Sequence, residues 1–250
     1  MTSLAPTPRR VLRRESQRLF HWNGRHGGLA GGGLEAATGQ SPSHLVFAAG
    51  TLIDAAGVSF TTRANQPAWR MVDLDANGIR EARVLQCVAN DTVAWDLPLY
   101  SEALSGLLEI VHPSSAPAAT TGLWYLGRDD QTGARLWIDW TGTVYRISYF
   151  NGTATVTATM GSAPAASAHT LLRWQLQGGT LLKLWQSIGP DGTEVASGTG
   201  GSVTLAAAFG SPAKSRLNRI GTGGGSPVGV GYLSCRIDAG LVARTELLRY

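Results

Sequence analysis

Asn151-Gly152, set between two runs of alternating apolar and polar residues, excludes most architectures for this 250-residue chain. Both central positions of a two-residue type I′ turn need positive φ, which Asn and Gly tolerate, so the dipeptide predicts a β-hairpin. Pairing outward from that turn sets Tyr149 opposite Ala154, Ile147 opposite Val156 and Tyr145 opposite Ala158. Ser148 then faces Thr155, and Arg146 faces Thr157. One face is apolar and the other rich in threonine, the pattern of an antiparallel sheet with one side on a core and one in water.

LLRWQLQGGTLLKLWQSI predicts a second hairpin, in which the apolar faces choose the loop. A two-residue Gly178-Gly179 loop sets Trp174 against Lys183. A three-residue loop that includes Gln177 sets Trp174 against Leu182 and Leu172 against Leu184, which keeps both faces consistent. Pro190-Asp191-Gly192 predicts a further turn, with Pro fixing φ and Gly in the left-handed position. Short strands are expected at 107–111, 123–126, 136–140, 194–197, 202–207, 219–220 and 233–238. Many short strands separated by turns predict an all-β antiparallel two-sheet sandwich.

Charge divides the chain. Arg9, Arg10, Arg13, Arg14, Arg18 and Arg25 stand against Glu15 in residues 1–26, whereas the whole chain carries only +4. The basic character therefore belongs to the N-terminus, and the body lacks the positive surface that nucleic-acid binding requires. RRVLRRESQRLF places Val11, Leu12, Glu15, Leu19 and Phe20 at roughly helical spacing, and the GGLAGGG that follows reads as a flexible spacer. Residues 1–44 are thus expected to be a basic, extended and partly helical arm, 45–90 a strand and hairpin segment, and 91–250 the sandwich. No run approaches the length of a membrane span, and the arginine-rich start lacks a signal-peptide core, so synthesis in the cytoplasm is expected.

Cys87 and Cys235 sit in separate strand-like runs, which suits two buried thiols. A disulfide stays open if the first and last strands are neighbours. Asp73-x-Asp75-x-Asn77-Gly78 reproduces the first half of a calcium loop, yet Val84 stands where the bidentate Glu belongs. A hairpin turn with Asp and Asn capping backbone amides is the simpler reading. GGGLEA at 31–36 satisfies a GxGxxA pattern with no strand before it, and the histidines at 21, 26, 44, 112 and 169 show no ligand spacing. No cofactor is expected.

GVSFTTRANQPAWRMVDLDANGIREARVL (57–85) resembles a segment found ahead of lectin-like domains in bacteriophage tail and virion proteins, where an FTR run leads to a D-x-NG-I turn. The later order is similar to a concanavalin A-like jelly roll of the laminin-G kind. His169 opens a strand with Arg173 and Trp174, followed by GGTLLKLW, a PDG turn, RIG (219–221) and GYLSCRIDAGLVARTELLRY, which closes on a helical turn at 245–248. The resemblance covers about residues 57–250. It implies a jelly roll and a place in a phage particle, as a tail or head fibre or decoration component. Glycan-cleaving relatives carry E-x-D-x-x-E on one strand. The carboxylates at 102 and 109, or 191 and 194, do not match it, so an enzyme is not expected.

The expected activity is adhesion. Trp124, Trp137, Trp140, Trp174 and Trp185 fall in expected strands, where most fill the core and an outward one offers a stacking face for a sugar ring. Trp137 and Trp140 have opposite parity, so one should face outward unless a bulge intervenes. The arm (Arg9, Arg10, Arg13, Arg14, Arg18) has three readings: docking in a protein groove, contact with packaged nucleic acid, or a solvated tail. Docking fits its mixture of arginine and apolar residues best. The partners expected are other virion proteins, further copies of this chain and a host-surface glycan, with no membrane insertion. A stand-alone carbohydrate-binding module is the alternative, and a glycan hydrolase ranks last.

Overall fold

The computed structural model describes residues 103–116, 120–127, 133–178, 181–198, 200, 204 and 230–248, together with the backbone of the strands before residue 98 and of one strand between 213 and 217. In chain order the strands are β1 (Arg18–Asn23), β2 (Leu45–Ala48), β3 (Thr51–Asp54), β4 (Ala68–Val72), β5 (Ala82–Gln86), β6 (Val93–Leu97), β7 (Ala103–Val111) and β8 (Thr121–Gly127). They continue as β9 (Arg135–Trp140), β10 (Tyr145–Phe150), β11 (Thr155–Thr159), β12 (His169–Gln177), β13 (Leu181–Ile188), β14 (Val195–Ala196), β15 (Ala213–Leu217) and β16 (Gly231–Ala239). A helical turn, α1 (Arg244–Leu247), follows.

Two antiparallel sheets form the sandwich. One runs β14-β13-β12-β7-β16-β5-β4 with β1 added beside β16, and the other runs β11-β10-β9-β8-β15-β6. β2 and β3 make a separate pair. Neighbours distant in sequence, such as β7 beside both β12 and β16, give the crossed connections of a jelly roll. The expected fold class is therefore the observed one.

The core lies between the sheets and is built by alternation. Leu104, Leu108 and Ile110 of β7, Leu172, Trp174 and Leu176 of β12, and Tyr232, Cys235 and Ile237 of β16 meet Leu126, Leu136, Ile138, Trp140, Tyr145, Ile147 and Tyr149 of the other sheet. Trp124 stacks on Trp174 across the interface at 5.1 Å. The Trp174 ring also covers Gly106 on the adjacent strand, where an added Cβ would meet it at 2.3 Å, so only glycine leaves it room.

Polar ties also cross the core among the described residues. A register shift in β8 between Gly122 and Trp124 takes Leu123 out of regular pairing, and its carbonyl accepts a 3.0 Å hydrogen bond from the Tyr232 hydroxyl. His112 Nδ1 meets the Tyr145 hydroxyl, and the imidazole packs on Trp140 at 4.9 Å. A second small core lies outside the larger sheet, where Leu107 and Leu171 are covered by Val242 and Leu247. This is how the closing helical turn is held.

Several expectations require correction. Asn151-Gly152 does not make a two-residue turn: Phe150 pairs with Thr155, Tyr149 with Val156 and Ile147 with Ala158. The Asn151 side chain accepts hydrogen bonds from the amides of Thr153 and Ala154, which stabilises a four-residue loop with Gly152 at φ 102°. The second hairpin pairs Trp174 with Leu184, Leu172 with Gln186 and Gln177 with Leu181, so its three-residue connection is 178–180 and excludes Gln177. In the PDG turn the left-handed residue is Gly189, at φ 67°. Gly192 matters by proximity instead, since a Cβ there would lie 2.0 Å from the Ile188 carbonyl oxygen.

Leu19 and Phe20, expected in a helix, lie in β1, where Phe20 pairs with Ile237 and Leu19 falls at a register shift between Arg18 and Phe20. Apart from residue 204, which is in no strand, the strands expected at 202–207 and 219–220 lie outside the described residues. β15 was not anticipated, and it is specified by its place between β6 and β8. Cys235 is a buried core thiol, and Cys87 lies outside the described residues.

Candidate functional site

The outer face of the six-stranded sheet brings an aromatic ring, cations and hydroxyls together. Antiparallel register places three rows across its strands. In the first, Tyr125, Trp137, Ser148 and Thr157 lie side by side on β8 to β11. Gly122, Asp139, Arg146 and Thr159 form the second. The third contains Arg135, Phe150 and Thr155. Four strands at the usual spacing span about 14 Å, and alternate residues along a strand lie about 7 Å apart.

Within the rows the polar groups are fixed. Arg146 donates from Nε to Asp139 Oδ1 at 2.9 Å and from a terminal nitrogen to Oδ2 at 2.6 Å. Asp139 also accepts from Trp137 Nε1 at 3.2 Å, which locks the indole edge and leaves recognition to its ring face. The hydrogen bonds to Asp139 raise the Arg146 pKa, and burial opposes them. The Asp139 side chain is only 6% exposed, whereas that of Arg146 is 33% exposed. Arg135 lies over Phe150 at 4.3 Å and reaches the Trp137 ring at 5.8 Å. Ser148 and Thr157 share a 3.1 Å hydrogen bond.

The two tryptophans singled out from sequence part here. Trp137 is half-buried on this face, and Trp140 is in the core against His112 and Tyr145. Burial removes Trp140 from any stacking surface, and strand parity carries that signal because β9 is regular through both residues.

A second outward tryptophan lies on the opposite side of the molecule. Trp185 of β13 has the Arg173 guanidinium 3.6 Å above its ring and the Lys183 ammonium at 5.1 Å. Arg173 is in turn held by Glu194 through bonds of 2.7 and 2.8 Å, so one face of the ring is covered by an anchored cation. Sequence did not single Trp185 out, since its outward parity emerges only once Trp174, Leu182 and Leu184 are known to be core.

Among the described residues, the other buried acids have structural partners. Glu109 bonds His169 at 2.6 Å, while Asp238 bonds Arg236, which also donates to the Glu246 and Leu247 carbonyls at the end of α1. Of the arm residues, Arg18 opens β1, and Arg9, Arg10, Arg13 and Arg14 lie outside the described residues. Asp73, Asp75 and Asn77 fall between the paired strands β4 and β5, also outside the described residues.

No protein-family model matches the chain, and no curated protein matches it. Solved structures do. A protein of unknown function from Shewanella oneidensis MR-1 aligns with a TM-score of 0.50 at 12% identity, covering 77% of this chain and 81% of that one. The binding domain of botulinum neurotoxin DC, solved with rat synaptotagmin II, aligns at 0.52 and 8% identity over 81% of this chain and 49% of that one. A structure from work on botulinum neurotoxin type C, whose cell entry depends on interaction with two ganglioside molecules, aligns at 0.52 and 12% over 81% and 48%. At these identities the likeness concerns the fold alone.

Proposed function

We propose that the chain is an adhesion component that binds glycan rather than cleaving it, and that it belongs to a bacteriophage particle as a tail or head fibre or decoration protein. The arm docks to other virion proteins, and the sandwich is displayed outward, with further copies of the chain assembled beside it. The observation that carries the binding function is Trp137: an outward indole whose edge is fixed by Asp139, with the exposed Thr157 hydroxyl in the same row and Tyr125 and Ser148 buried beside it. A sugar ring stacks its C–H face on such an indole while adjacent groups meet its hydroxyls. The phage setting rests on the resemblance of residues 57–85 to virion proteins. Botulinum neurotoxin type C, similar in fold, depends on gangliosides for cell entry, which agrees with this use of the scaffold.

The test is a glycan array probed with the full chain and with Trp137→Ala and Trp185→Ala. Trp137→Ala should lose at least tenfold in affinity, in keeping with a stacking contact of about 1.5 kcal/mol or more. Trp185→Ala should bind normally. Binding indifferent to Trp137 would remove the basis of the proposal.

A stand-alone carbohydrate-binding module is the second reading. It is favoured by β1, which commits residues 18–23 of the arm to the chain's own sheet.

A further inference from the structure

We propose that the Trp137 face takes a linear glycan over several consecutive sugar units, running from β9 across β10 to β11, rather than a single terminal sugar. This rests on the glycan-binding reading above and adds the form of ligand that the face fits.

The groups this face presents to water are spread over three strands. Trp137 is on β9, half-buried, with its indole edge held by Asp139. Its neighbour in the row, Ser148 of β10, is buried and shares its hydroxyl with Thr157 at 3.1 Å. In this row the hydroxyl that meets water is that of Thr157, on β11. Alternation brings Thr155 and Thr159 to the same face, and all three threonines are exposed. β11 ends the sheet. Two strand spacings, about 10 Å, separate it from β9, and successive outward threonines stand about 7 Å apart. A single ring stacked on Trp137 does not reach those hydroxyls, whereas a chain of linked rings does.

Magnitudes favour the longer ligand. A ring on one indole contributes roughly tenfold in affinity at most. The lost translational and rotational freedom costs about a thousandfold or more before any contact is counted. Contacts repeated along a chain offset that cost, because the second and third units are delivered by the first. Thr157 suits such a contact. Ser148 orients its hydroxyl, which keeps capacity for another partner, since a hydroxyl has one donor and two acceptor positions. Arg146 lies between the two ends of the path, its side chain 33% exposed and its guanidinium fixed on Asp139.

Threonine is also a good strand former, so the test replaces it with valine, which keeps the branched shape and removes the hydroxyl. The full chain is titrated calorimetrically with cello-, malto- and chito-oligosaccharides of one to six units. The same length series is run for any other linear glycan that binds on the array. Affinity should rise by about tenfold or more from one unit to three or four, and then level. Thr157→Val should remove several-fold of that gain, and Thr157→Val combined with Thr159→Val should remove more. Trp137→Ala should abolish binding at every length. Circular dichroism and melting temperature check that each variant is folded.

Trp137-dependent binding of equal strength for one unit and six would overturn the extended ligand and leave glycan binding intact. Trp137-dependent binding confined to single-unit or branched glycans would do the same. A rise with length that both threonine variants keep would overturn the path over β11, and the proposal with it. Binding of no glycan, or binding indifferent to Trp137, would overturn both readings.

Discussion

His112 shows how a single buried side chain ties stability to pH. Its imidazole is enclosed by Trp140 and Tyr145, and burial lowers its pKa from the ordinary 6.5. The same burial pushes the Tyr145 phenol well above its usual range, so it remains protonated and able to donate to the neutral imidazole. The unfolded chain gains a proton near pH 6.5, and the folded chain does so only at lower pH. Between these limits the unfolded state binds more protons, so stability must fall as pH falls. The melting temperature should drop between pH 7 and pH 5, and His112→Gln should flatten that dependence. An unchanged slope in the variant would show that His112 is not its source.

At the scale of elements, the closing turn α1 depends on β16. Arg236 and Asp238, with side chains 3% and 0% exposed, form a buried pair, and Arg236 also holds the last carbonyls of α1. Arg236→Ala would strand a buried carboxylate and orphan those carbonyls, a loss of about 3–5 kcal/mol. Urea denaturation measures it, and a change below about 1 kcal/mol would contradict this account of how α1 is anchored.

Much of this level was legible in the sequence. The strands around Asn151-Gly152 and the Trp174 strand are legible because alternation and turn residues act locally, whereas the closing helical turn came from the resemblance of the final stretch to laminin-G-like domains. Register was not legible. A shift of two residues preserves which face each side chain takes, so apolar patterning accepts Ile147 opposite Val156 or Ala158 equally. The Asn151 side chain, by capping two amides, decided between them. β1 was misread because Leu19 and Phe20 fit a helical spacing, whereas the partner of Phe20, Ile237, lies more than two hundred residues away on β16. On the candidate face, parity showed that one of Trp137 and Trp140 faces outward, and the burial of Trp140 in the core decides for Trp137. The rows that give it Arg146, Asp139 and Phe150 needed the register.

For the whole molecule, the arm and the sandwich make separable predictions. β1 pairs with Ser234–Asp238, so a truncation meant to test docking must spare it. Removing residues 1–17 should leave melting temperature and glycan binding unchanged while abolishing incorporation into particles. Retained incorporation would favour the stand-alone module. The central claim is that ligand meets the outer face of the six-stranded sheet at Trp137. It is tested most directly by fluorine NMR of the full chain labelled with 5-fluorotryptophan, in which eight tryptophans report separately and Trp137→Phe assigns the resonance of interest. Titration with a bound glycan should shift the Trp137 signal and leave that of Trp185 in place. A Trp137 signal that stays fixed while the glycan binds would contradict the account.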